Sequence, residues 1–157
     1  MLADFESVKT GQIIKPRSFS GLMDLYEHNY LRLRKIVPDL EIADEMISLS
    51  PGHLDLYLSV EERCRYTTML RMTYRFEEKD QVICQPDLHI RMYHDAHIAE
   101  VHDRLDRNHR RIYSGETLQQ KWKLNRFLYK WLGYCIFQGH CFHPVSNLKR
   151  MRTVINE

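Results

Sequence analysis

Glycine is scarce in this chain, with six in 157 residues, at positions 11, 21, 52, 115, 133 and 139. No two are spaced to build G-x-G-x-x-G or G-x-x-x-x-G-K-[ST], which excludes the usual dinucleotide fingerprint and the P-loop. The four cysteines, Cys64, Cys84, Cys135 and Cys141, show no C-x-x-C spacing. Free thiols in a reducing compartment are the economical reading. No stretch approaches the roughly 18 apolar residues that cross a membrane. Met1–Lys15 carries Asp4 and Glu6 and lacks the continuous apolar segment of a signal peptide. A cytoplasmic protein without a membrane partner is therefore expected. The commonest nucleophile and metalloprotease signatures are missing too, since no G-x-S-x-G or H-E-x-x-H occurs.

What is present suits one globular domain. Hydrophobic residues make up 43% and charged residues 28%, the balance of an ordinary folded protein. The net charge is +2, unevenly spread: residues 1–101 hold 12 Lys/Arg against 17 Asp/Glu, and residues 102–157 hold 11 against 4. The first part is thus −5 and the second +7, a hint of a basic patch that meets phosphate or an acidic partner.

Residues 1–17 show no period and read as a flexible arm, 18–144 as the domain, and 145–157 as a basic tail. Ser18 or Ser20 caps a helix whose stripe runs through Leu22, Leu25, Tyr26, Tyr30, Leu33, Ile36 and Val37, with Asp24 in its first turn. Pro38 ends it. Period two then takes over: a short strand at Glu45–Leu49, a second with Leu54, Leu56, Leu58 and Val60 on one face, and a third from Tyr66 to Phe76. Glu62–Cys64 reads as the tight connection between the last two. Glu77–Pro86 reads as a polar loop, with Val82-Ile83 able to pair briefly. Leu88, Ile90 and Met92 alternate into a fourth strand, and Ala96–Val101 follows a turn at His94-Asp95. After a basic, strand-poor stretch from Asp103 to Tyr113, Thr117 and Gln120 form a capping box. The long helix behind it carries Leu124, Phe127, Leu128, Trp131, Leu132 and Cys135 on one face, and Gly139 closes it. The expected fold is α+β: an N-terminal helix, a four- or five-stranded antiparallel meander, and a long C-terminal helix packed on one sheet face.

A two-residue loop at His94-Asp95 pairs position 91 with 98 and 89 with 100. Leu88, Ile90, Met92, Ala99, Val101 and His97 then face the core. His89 stands opposite Glu100 on the polar face, with Arg91 diagonal to that carboxylate and Tyr93 and Arg71 nearby. Arginine forks, a phenol and a carboxylate make an anion-binding face; a solvated face of cross-strand charge pairs accounts for the same residues. His94-Asp95 suggests an oriented imidazole acting as acid or base. Adjacent turn residues usually point apart, however, and Asp is an ordinary turn former. Cys135, His140, Cys141 and His143 match no common zinc spacing, and His94, His97, His102 and His109 share no face. No metal or cofactor is expected. Trp122 and Tyr129, interleaved with Lys121, Lys123, Arg126 and Lys130, suggest an RNA stacking surface, though a charged helix face explains them more simply.

The segment Arg91-Met-Tyr93-His94-Asp95-Ala96-His-Ile-Ala99-Glu100-Val101 resembles the central motif of the YqiB-like proteins, a proteobacterial cytoplasmic family of unknown function. The similarity extends through Met23-x-Leu25-Tyr26-Glu27-x-Asn29-Tyr30, Leu33-Arg34 and Arg65-Tyr66-Thr67-Thr68. Downstream it continues in Asn125-x-Phe127-Leu128-x-x-Trp131-Leu132-x-Tyr134-Cys135. The resemblance carries no established activity. Through the genes that neighbour the family's own, it implies only an association with nucleotide metabolism.

The residues favour a binding or regulatory module over an enzyme. Arg91, Tyr93, His94, Asp95, Glu100 and Arg71 would contact a phosphorylated metabolite, another small anion or a protein partner. One alternative is a hydrolase of a phosphorylated nucleotide, with His94 and Asp95 as its catalytic residues and His94 the acid/base. Another is an RNA-associated accessory protein working through the basic C-terminal half.

Overall fold

The computed structural model describes residues 18–113 and 117–145; the proposed N-terminal arm, and the C-terminal tail from residue 146 on, lie outside them. The element order is α1 (Phe19–Ile36), β1 (Glu45–Ser48), β2 (Asp55–Arg63), β3 (Thr67–Glu78), β4 (Gln81–Tyr93), β5 (Ile98–Leu105), β6 (Arg111–Tyr113), α2 (Leu118–Phe137) and β7 (His143–Pro144). The sheet order is β6-β5-β4-β3-β2-β1-β7, and every neighbouring pair is antiparallel. The class is α+β as expected, with seven strands instead of four or five. The additional strands, β6 and β7, have three and two residues, too few for a period-two pattern to register.

Both helices start on side-chain caps. Ser18 Oγ accepts the Gly21 N–H at 2.9 Å, and Thr117 and Gln120 form the reciprocal capping box. Asp24 lies beyond the first turn of α1, which contains no acidic residue. Gly139, at φ +85°, follows α2 where a left-handed residue is needed.

The helices cover one face of the sheet. Leu33 and Ile36 of α1 and Leu128, Trp131 and Leu132 of α2 share a buried cluster with Leu56, Leu58, Leu70, Met72, Leu88, Ile90 and Ala99. Such a cluster removes enough apolar surface from water to drive folding.

Loops and registers depart from the sequence expectation at four places. The stretch from Glu77 to Pro86 is strand almost throughout, because Lys79 and Asp80 make a two-residue turn with positive φ (51° and 61°) and Glu78 pairs with Gln81. Strand β2 runs on through Arg63, so the β2–β3 turn is residues 64–66, and Tyr66 is half exposed there. The basic stretch after Asp103 is not strand-poor, since β5 continues to Leu105 and β6 pairs back onto it. Finally, the β4–β5 loop has four residues, with Tyr93 paired to Ile98 and Arg91 to Glu100. His97 therefore sits in the exposed loop, at φ 54°, and not on the core side. A bulge between His89 and Ile90 places Asp103 opposite His89, in place of Glu100.

Strand β5 would offer a bare edge between Ile98 and Val101, because β6 pairs only with Arg104 and Leu105. Two buried asparagines close it. Asn125 Oδ1 of α2 accepts the Val101 N–H at 2.8 Å, and Asn29 Nδ2 of α1 donates to the Asn125 carbonyl at 3.1 Å. An unpaired edge N–H is thereby satisfied from the helix layer. We expect Asn125→Ala to cost about 2 kcal/mol in urea unfolding, since it leaves a buried donor without an acceptor. A loss no larger than that of an exposed Asn→Ala control would contradict this role.

Candidate functional site

The open face of the sheet carries the residues expected there, largely occupied with one another. Arg71 Nε and Nη2 donate to the two oxygens of Asp87 at 2.7 and 2.6 Å. Asp87 is fully buried, and its hydrogen bonds push the Arg71 pKa up. Beside that pair, His89 lies between Asp103 (Nδ1–Oδ1 2.6 Å) and Glu61 (Nε2–Oε1 3.3 Å), and Arg111 reaches Asp103 at 3.3 Å.

Arg91, Tyr93 and Glu100 do come together. Tyr93 donates its hydroxyl to Glu100 Oε1 at 2.8 Å, and Arg91 bonds the Tyr93 oxygen, which raises the arginine pKa. Glu100 also takes the phenol of Tyr26, reaching over from α1. Burial first, and then the Glu100 charge, push that phenol up to about 12. Glu100 is thus held by two phenols and not by an arginine. Sequence patterning missed Tyr26 because its position belongs to the apolar stripe of α1.

His94 and Asp95 point apart. Asp95 is exposed and accepts the Ala96 N–H at 3.0 Å, ordinary turn chemistry. The His94 ring turns to the helix side of the sheet instead. Its Nδ1 lies 3.0 Å from the Tyr30 hydroxyl of α1, and its Nε2 lies 2.7 Å from Thr68 Oγ1 of β3. A neutral imidazole offers one donor and one acceptor, so one hydroxyl donates to the ring and the other accepts from it. Burial, and next the nearby Arg34 charge, lower the His94 pKa and keep the ring neutral at pH 7.

This ring forms part of the wall of a cleft of about 470 Å³. The last turn of α1 contributes Arg34, the loop after it Asp39 and Glu41, the end of β2 Arg63, and the β2–β3 turn Cys64 and Arg65. Arg63 is committed to the framework: it pairs with Asp44 and donates to the carbonyls of Leu40 at 2.9 Å and Ala43 at 2.8 Å. Those contacts tie the loop after α1 to the end of β2. Arg34 and Arg65 have no carboxylate partner among the described residues, and Arg65 lies over the Tyr66 ring at 5.1 Å.

The remaining sequence candidates fall elsewhere. Cys135 is buried with its thiol 3.6 Å from the Tyr74 hydroxyl, and burial pushes its pKa up to about 12. His140 Nδ1 lies 2.6 Å from Ser48 Oγ, whose oxygen accepts the Cys141 N–H at 2.8 Å. Among the described residues no three His, Cys, Asp or Glu side chains are grouped to hold a metal ion. Nor is any described helix long and apolar enough to cross a membrane. Trp122 and Tyr129 are buried, with Leu22, Leu25 and Tyr26 of α1, so they present no stacking surface to RNA.

A family described as a protein of unknown function, DUF1249, matches residues 32–141. The chain belongs to the DUF1249 family. It is 32% identical over 136 residues to the uncharacterized protein YqiB of Escherichia coli K12, covering 81% of this chain and 94% of that protein. YqiB of Escherichia coli O157:H7 gives the same figures. No solved structure matches the chain. Within the DUF1249 match lie Arg34, Asp39, Glu41, Arg63, Cys64, Arg65, Thr68 and His94, with Tyr30 just outside it. Tyr30, Arg34, Arg65, Thr68 and His94 also come from four separate stretches that carry the YqiB-like resemblance, and the fold brings those stretches together at one opening.

Proposed function

We propose that this DUF1249 protein is a cytoplasmic binding module that takes a small phosphorylated metabolite into the cleft beside His94. One observation carries the reading: Arg34 and Arg65 line the same opening and neither is neutralised by a carboxylate of the described fold. A phosphate suits two such guanidinium forks, which donate in pairs to its oxygens. On the open sheet face Arg71 is already neutralised by Asp87, and Arg91 bonds the Tyr93 oxygen. The ligand contacts expected of Arg91, Tyr93, Glu100 and Arg71 therefore pass to the cleft, where His94 alone of the expected residues remains. Four cysteines with no disulfide among them suit a reducing compartment.

A hydrolase reading draws support from the Thr68 hydroxyl 2.7 Å from His94 Nε2, a hydroxyl–imidazole pair of the kind that activates nucleophiles. Binding is favoured because Thr68 is buried and both ring nitrogens are engaged.

Thermal unfolding in inorganic phosphate and pyrophosphate tests the proposal. A ligand at 100 times its dissociation constant stabilises by about 2.7 kcal/mol. That gain should vanish in Arg34→Ala and Arg65→Ala and survive in Arg91→Ala. Stabilisation lost in Arg91→Ala and kept in Arg34→Ala would move the site to the open sheet face. Phosphate-ester turnover abolished by His94→Ala would select the hydrolase.

A further inference from the structure

The same cleft carries unpaired charge of both signs. Asp39 and Glu41 share its wall with Arg34 and Arg65, yet no ion pair joins the two sets among the described residues. Opposite charges on flexible side chains around one opening ordinarily close onto each other. Here no such pair forms among the described residues, and the segments that carry the charges are anchored separately. Arg34 is fixed to the last turn of α1, where a cation also suits the helix dipole. Asp39 Oδ1 accepts the Glu41 N–H at 2.9 Å, which shapes the loop. Arg63 clamps that loop by the Leu40 and Ala43 carbonyls and the Asp44 carboxylate. Both signs act at a common point, because Arg34 and Glu41 influence the His94 ring in opposite directions. With Arg63 neutralised by Asp44, two cations and two carboxylates line the cleft.

An anion alone would satisfy half of this arrangement and meet repulsion from the other half. A ligand with a charge of each sign satisfies both halves. We propose that the cleft is built for a zwitterion: a phosphate monoester bearing a primary ammonium group, its phosphate between Arg34 and Arg65 and its ammonium against Glu41 and Asp39. The inference rests on the anion-binding reading above and adds the second pole.

Phosphoethanolamine and ethyl phosphate separate the two ideas, because the second lacks only the ammonium. Isothermal titration of the full chain at pH 7 should give a dissociation constant about tenfold lower for phosphoethanolamine, the size of one charge-assisted contact. In the double variant Asp39→Asn/Glu41→Gln that preference should disappear while ethyl phosphate binds as before; the asparagine keeps the oxygen that accepts the Glu41 N–H. Arg34→Ala should weaken both ligands. Equal affinity for the two esters in the unmodified protein overturns the zwitterion and leaves the anion site standing. A preference that survives the double variant also overturns it. Failure of both esters and of inorganic phosphate to bind brings down the two readings together.

Discussion

Replacing Arg71 by methionine should cost about 3–5 kcal/mol of folding stability, the largest loss expected of any single substitution considered for this protein. Asp87 has no exposed surface, and its carboxylate takes two charge-assisted hydrogen bonds from Arg71. Its other basic neighbour is His109, 3.9 Å away on a mostly exposed side chain. Without the guanidinium, an ionised carboxylate remains in a place that water does not reach. The aliphatic part of methionine replaces the packing of the arginine stem but none of its donors. Urea unfolding monitored by far-UV circular dichroism measures the difference. Arg71→Met/Asp87→Leu should recover most of the loss, because removing both partners leaves no orphaned charge. A single variant costing under about 1 kcal/mol would mean that the pair behaves as an exposed one. Arg71 would then return to the list of groups free to meet a ligand.

Acidification should destabilise the fold by an amount of order 3 kcal/mol between pH 7 and pH 4, with His140 responsible for most of it. Ser48 Oγ, which accepts the Cys141 N–H, lies 2.6 Å from His140 Nδ1 inside the protein. Burial is the main reason that the His140 pKa falls to about 4, and His53 adds a smaller push in the same direction. In the unfolded chain the ring titrates near 6.5. Above that value neither state is charged and the stability is fully present. Below it the unfolded chain takes up a proton that the folded chain refuses, and stability is lost progressively as pH falls toward 4. His94, also lowered by burial, adds to the loss with the same sign. Guanidinium unfolding at pH 7.5 and pH 5.0 should therefore differ clearly in the parent protein and much less in His140→Gln. Equal differences in the two proteins would assign the acid sensitivity elsewhere.

These two positions show how differently single residues were readable. Arg71 was visible as an arginine on the polar side of a strand, and that placement holds. Whether it was free or committed depended on Asp87, which the sequence expectation left between a polar loop and the fourth strand and which pairing between β3 and β4 carried into the sheet. His140 stood in a row of possible ligands after α2, and only the fold put Ser48 against it, 92 positions away in the chain. His94 was singled out with Asp95 because the two are neighbours in sequence. Its actual partners, Tyr30 and Thr68, were absorbed into a helical stripe and a strand.

Chain periodicity was enough to determine the α+β class, the course of both helices with their caps, and which strand positions face the helices. These depend on the repeat of 3.6 or 2 residues and on apolar burial, and neither requires knowing what lies opposite. Face assignment of Met92, Ala99 and Val101 also survived the β4–β5 register, because beside the loop the pairing moved by two positions and a period-two pattern is unchanged by such a step; His97, carried into the loop, is the exception. The tertiary structure alone decided the four-residue loop, the two shortest strands, and the cleft where the end of α1, the β2–β3 turn and the end of β4 meet. It also decided which arginines keep an unspent charge. A charge is neutralised by whatever stands within a few ångströms of it, and that distance is set by packing across the sheet and not by spacing along the chain.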